Sequence, residues 1–390
     1  MKMIWRKVLI FGGVGIVLTG CSLLLGPLSK LSFESIINRP WQWTWFGEWT
    51  GSENAIDFAQ PRYLSVYRLV DQKDPGFFAY VHNNPGGYVY IHFSPSKERK
   101  EVQRGGFGYF YFPRVYVTED QKGFLFQALS LADTRVLWYD GKTTTTSGES
   151  FPYLNSLTSL GEKVLVSFID GYSPYRNRIS LLSPGSSSTS FYIFPESSPS
   201  NNMYLFTLEG DTPESSLIVA VTNQFYSSCL TFLDSHGGFQ GEKSTNFFDY
   251  DGGAPRAGVV VGSTPYLLAN SYSVYTLFRW QSGGWQGIET RVTVGAYTNI
   301  KAIDMVAVDD VFWAAWVVEP NKIHVGCYRH FAEGAKLLTE RDLTVPSEKG
   351  SIEGIDFFYD RAGGRVILGV LHAVPPDNHI GISYWSIPAW

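Results

Sequence analysis

An all-β fold built from one repeated four-stranded unit is predicted for this 390-residue chain by three observations. Glycine is abundant, with 39 residues, and aromatics make up 16% of the chain while charged residues make up only 17%. That balance excludes a disordered chain, a coiled coil and collagen, and suits many short strands joined by turns. A hairpin signature, an apolar strand then a polar turn then a second strand, recurs seven times. No segment carries a sustained helical period.

The hairpins fall at 77–93, 124–139, 164–182, 217–233, 266–280, 312–329 and 366–385, so their starts are about 48 residues apart. Two further strand-like segments lie between successive hairpins: 107–112 then 115–117, 191–194 then 203–208, 247–248 then 258–261, and 336–338 then 355–359. Each unit therefore holds about four strands, and a four-stranded antiparallel unit at this period is the signature of a β-propeller. Seven blades is the count the hairpins give; six or eight also fit, and a pair of β-sandwiches is the competing fold. The first strand of each hairpin is a nearly continuous apolar run, as expected for a strand buried on both faces between blades.

The last hairpin ends at the C-terminus without an outer strand. A spare segment at 41–49 precedes the first blade and is expected to complete the seventh, hiding an edge that would invite aggregation. This resembles the overlap closure of WD-type propellers, although no repeated Gly-His and Trp-Asp pair, sialidase Asp box or quinone-type docking motif is present. Trp41, Trp43 and Trp45 alternate in WQWTW, so their rings share one side of that strand. A packed closing strand is the expectation; a sugar-binding or membrane-surface platform is the alternative.

The first 20 residues read differently. Lys2, Arg6 and Lys7 precede an apolar run at 8–19, too short to span a bilayer and of the length found in secretory signal peptides. The run ends in Leu18-Thr19-Gly20-Cys21, which resembles the lipobox of bacterial lipoproteins. The resemblance implies cleavage before Cys21, a diacylglycerol on its sulfur and an acyl chain such as palmitate on its new amino group. Several acyl chains give durable anchoring in the bilayer. Ser22, where Asp would imply inner-membrane retention, implies sorting to the outer membrane of a cell envelope. The expected organisation is a signal peptide at 1–20, a lipidated tether at 21–40 and a propeller at 41–390.

Net charge is −5, and loss of the leader takes it to about −8. Without a basic run, nucleic-acid binding is not expected. Cys229 and Cys327 fall in non-adjacent units and are expected to be two buried thiols. No CxxC, HExxH or GxSxG element exists, so no metal, cofactor or catalytic set is expected. Asp249 and Asp251 in DYDGG open like a calcium loop, but Val260 stands where its closing carboxylate is needed.

In a propeller, the turns inside these hairpins gather on one face. Here they begin at His82 and Asn83, Ser130, Asp170, Thr222 and Asn223, Asn270, Glu319 and His372. His82 and His372 would meet across the closure. The set is a candidate face for a ligand or an envelope-protein partner, and equally a ring of wet turns. A binding or assembly scaffold is the leading expectation. The alternatives are an enzyme acting on carbohydrate or another polymer, which needs acidic groups converging near the central channel, and a small-molecule-binding lipoprotein.

Overall fold

The computed structural model describes residues 38–49, 63–83, 87–105, 113–130, 134–151, 154–170, 176–194, 203–210, 212–224, 227–245, 257–271, 274–281, 284–292 and 302–389. They form seven four-stranded antiparallel sheets arranged as a β-propeller. Strand β1 is Gln42–Trp49, and the first blade holds β2 (Tyr63–Tyr67), β3 (Gly76–Asn83), β4 (Gly87–Phe93) and β5 (Arg99–Gly105). The second holds β6 (Arg114–Val117), β7 (Phe124–Leu129), β8 (Val136–Tyr139) and β9 (Thr144–Thr146). The third holds β10 (Leu154–Leu160), β11 (Lys163–Asp170), β12 (Arg176–Leu182) and β13 (Thr189–Ile193). The fourth holds β14 (Met203–Leu208), β15 (Leu217–Gln224), β16 (Ser227–Leu233) and β17 (Phe239–Thr245). The fifth holds β18 (Ala257–Val261), β19 (Thr264–Ser271), β20 (Val274–Gln281) and β21 (Gly284–Val292). The sixth holds β22 (Ile303–Val308), β23 (Val311–Glu319), β24 (Lys322–Phe331) and β25 (Gly334–Thr344). The seventh orders β26 (Ser351–Asp360), β27 (Arg365–Val374) and β28 (His379–Pro388) against β1.

Strands β2, β6, β10, β14, β18, β22 and β26 neighbour one another around the axis and close the ring. Each repeated hairpin supplies the second and third strands of its blade. Apolar continuity in the second strand follows from this position. In β23, Val311, Trp313, Ala315 and Val317 pack toward the seventh blade, while Phe312, Ala314 and Trp316 pack toward the fifth. A strand with both faces covered has no use for polar alternation. Burying each of these large side chains contributes roughly 1.5–3 kcal/mol. Cys229 and Cys327 are free and buried, in the fourth and sixth blades.

The closing strand sits where the pattern placed it. Gln42 through Trp49 pair antiparallel with β28, Gln42 opposite Ser386 and Trp49 opposite Ile380, with a bulge between Trp45 and Gly47. The bulge turns Phe46 toward the first blade, where its ring meets Phe77 edge-on at 4.9 Å. Trp43 and Trp45 are neighbours at 6.4 Å. Trp41, just ahead of the strand, is buried against Phe357. The indoles are thus packing groups of the seventh blade.

Two outer strands differ from expectation. The first blade ends in the charged β5, and the fourth in β17, whereas residues 107–112 and 247–248 lie outside the described residues. Outer strands face water, so their residues carry little apolar signal.

Close packing around the axis depends on glycine at two positions. A side chain at Gly369 in β27 would enter the space of Val66 on the adjoining blade. Gly350, with φ +84°, would place a Cβ against the Ala373 carbonyl. Replacing Gly350 by Ala combines a left-handed backbone with a backbone collision. The expected result is a loss of at least about 2 kcal/mol, read as a lower urea midpoint with unchanged slope.

Candidate functional site

The innermost strands leave one backbone edge unpaired, facing the channel. A buried N–H on such an edge needs an acceptor. Three side chains in equivalent register supply one. Asp304, Asp356 and Ser156 each stand four residues before the last paired residue of their strand, Val308, Asp360 and Leu160. Phe357 N donates to Asp304 Oδ2 at 2.5 Å, Val66 N to Asp356 Oδ2 at 2.7 Å, and Leu205 N to Ser156 Oγ at 2.6 Å. Each bond runs from one blade to the next.

Arg114, the first residue of β6, joins this set from across the channel. Its Nη1 donates to Asp356 Oδ1 at 3.0 Å. Burial works against its charge, but the carboxylates of Asp304, Asp356 and Glu209 outweigh that and raise its pKa. Burial pushes the Asp304 carboxyl up to about 6, against the pull of Arg114. Burial, and then the Asp304 charge, raise Asp356 well above the usual carboxylate range. One guanidinium facing two such acids favours a proton retained between them at neutral pH. The three residues tie the sixth, seventh, first and second blades together.

A shallow, water-sized depression lies beside Arg114, lined also by Thr158, Ser159, Phe206, Thr207 and the exposed Glu209. Thr158 and Thr207 bond to each other through their hydroxyls, and Thr207 donates to the Ser159 carbonyl at 2.7 Å. A second knot lies at the seam of the seventh and first blades. Fully buried Asp360 takes two bonds from Arg68, at 2.7 and 2.8 Å, and one from Arg365 at 2.9 Å.

The hairpin-turn candidates fall at strand ends, as expected. His82 and Asn83 end β3, Asp170 ends β11, Asn223 and Asn270 are next to last in β15 and β19, and Glu319 ends β23. Alternating strand direction puts these ends on one face. The side chains of His82, Asn83, Asp170, Asn223 and Asn270 lie outside the described residues, as do Cys21, Ser22 and the DYDGG segment. Glu319 accepts from Lys322 Nζ at 2.6 Å and is half exposed. His372 departs from expectation. Strand β27 runs on to Val374 before Pro375 and Pro376 stop it, so His372 is a strand residue with no exposed surface. It cannot share a wet ring with His82.

Arg114, Asp304 and Asp356 were not among the expected site residues. The signal is Ile-Asp-Met and Ile-Asp-Phe: a lone carboxylate inside an apolar run, at the same place in two successive units.

No protein-family model matches the chain, and no curated protein matches it. Solved propellers do. The WD40 domain of Toxoplasma gondii coronin aligns over 88% of this chain and 86% of its own, at 9% identity and a TM-score of 0.51. An oligogalacturonate lyase in complex with manganese aligns over 90% and 97%, at 6% identity and 0.49. The periplasmic gluconolactonase of Pseudomonas aeruginosa aligns over 79% and 94%, at 12% identity and 0.41. At these identities the likeness is one of fold, and the chain is a seven-bladed propeller.

Proposed function

We propose that this protein is a lipid-anchored envelope protein whose propeller is a binding or assembly scaffold for another envelope protein. The observation that carries the reading is the use made of the channel carboxylates. Both oxygens of Asp356 and one of Asp304 are taken by Arg114 and by backbone amides of neighbouring blades. These acids brace a rigid ring. A braced ring holds its strand ends at fixed spacing on one face, which lowers the ordering cost of association. The Leu18-Thr19-Gly20-Cys21 motif supports the anchor, with Ser22 favouring the outer membrane. The charged pair Arg114 and Glu209 beside the depression favours a second reading, recognition of a small polar ligand at this surface.

Crosslinking in the native envelope, then capture and mass spectrometry, tests the scaffold. A stoichiometric envelope protein that survives stringent washing supports it. Its absence, together with glycan binding by the purified domain, supports the second reading. Cys21→Ala is expected to move the protein from the detergent-extracted membrane fraction to the soluble fraction. A variant that stays with membranes overturns the anchor.

A further inference from the structure

Buried ionisable groups are unevenly shared around the ring. Glu353, Asp356, Asp360 and His372, each with under a tenth of its surface exposed, all belong to the blade that β1 closes. Asp356 and Asp360 have charged partners, and Glu353 accepts from the Ser351 hydroxyl. His372 has no charged partner. Its Nε2 meets Ser383 Oγ at 2.7 Å, and its Nδ1 is buried with no partner.

The position of His372 ties it to the closing strand. His372 pairs with Gly381, and Gly381 pairs in turn with Glu48 of β1. Residues directly opposite in an antiparallel sheet project to the same side, and Trp45 reaches over from β1 until its ring lies 5.5 Å from the imidazole. Lys349, in the 3-10 turn at Ser347–Lys349, rests over the other part of that indole, its Nζ 4.6 Å from the ring centre. We propose that His372 is an acid-sensitive catch for the closing strand: its neutral ring seats Trp45, and protonation releases β1 from β28 while the other blades hold.

The charges around it favour that direction. Lys349 repels an imidazolium. Glu48 is the acid on β1; on β26, Asp356 and Asp360 are engaged by Arg114 and by Arg68 and Arg365, and Glu353 is already accepting from Ser351 Oγ at 2.7 Å. On β28, His379 lies 3.4 Å from Asp377 at the same end of the blade. Burial, then Lys349, push the His372 pKa down to about 3. With β1 lifted, the ring returns toward its ordinary ~6.5. A group whose value is depressed in the closed state keeps that state favoured above ~6.5 and withdraws the support as pH falls. Opening of β1 should therefore rise about 30-fold between pH 7.5 and pH 5, with a one-proton slope.

Hydrogen exchange read by mass spectrometry on the folded protein tests this, with rates corrected for the intrinsic effect of pH. Peptides from 41–49 and 379–388 should lose protection below pH 6.5, while those from 311–331 in the sixth blade keep theirs. H372Q, which retains a partner for Ser383, should flatten the curve, and H379Q should leave it intact. A flat wild-type curve overturns the proposal, as does loss of protection in β1 and the sixth blade together. An H379Q variant that alone removes the dependence overturns it too.

Discussion

Deletion of residues 41–49 is expected to destabilise the whole ring and lower its melting temperature. The deletion removes buried Trp41 and Phe46, from the clusters that join the seventh blade to the sixth and to the first. Truncating one buried aromatic costs about 3–5 kcal/mol, and a domain's whole stability is about 5–15 kcal/mol. The bare edge of β28 adds an aggregation hazard. Differential scanning calorimetry should show a lower and broader transition, and a peptide spanning 41–49 added in trans should raise it again. Phe46→Ala isolates the packing component, with an expected loss of about 3–5 kcal/mol. An unchanged transition after deletion would show that three strands suffice for the last blade.

The channel cluster carries the second large effect. Asp356→Ala strands the buried Val66 amide and removes the hydrogen-bonded partner of the part-buried Arg114, with an expected cost of about 2–4 kcal/mol. Asp356→Asn, which keeps an acceptor for Val66, should cost less. Asp304→Asn should behave in the opposite sense at neutral pH. The Asp304 carboxyl, pushed up to about 6, titrates above the ~3.9 of an unfolded chain. The folded state thus holds a proton that the unfolded chain has released. This contribution is full below about pH 4 and is lost as pH rises through about 6. Asparagine still accepts from Phe357 and never ionises, so the variant should gain on wild type by about 2–3 kcal/mol between pH 4 and pH 7.5. Paired denaturant titrations at pH 4.5 and 7.5 check this, since titrating groups remote from the cluster cancel in the difference. A difference that does not change with pH would contradict the assignment.

The parts of the fold legible in the sequence are those set by burial on two sides. FWAAWVV and VILGVL announce their strands because both faces of each meet a neighbouring blade. The closing strand was legible for a complementary reason: one blade lacked a strand and one apolar segment lacked a blade. Outer strands such as RKEVQRG carry almost no such signal, because water covers one side. The channel was illegible for a subtler reason. A lone Asp in an apolar run reads as a turn or an irregularity until the unpaired edge of the next blade is known to need an acceptor. His372 misled in the opposite way, since a polar residue followed closely by two prolines looks like the start of a turn, whereas β27 carries on past it.

The pairing of β1 with β28 also fixes an order of events in biogenesis. Gln42 meets Ser386, a partner about 340 residues further along the chain. Contacts so distant in sequence form slowly. As the polypeptide emerges from its N-terminal end, the segment with three tryptophans appears first and its partner appears last. Six blades can assemble as they arrive, while that segment waits unpaired in an apolar, aggregation-prone state until β28 has been made. The seal that protects the finished protein is, during its making, the part most in need of a chaperone.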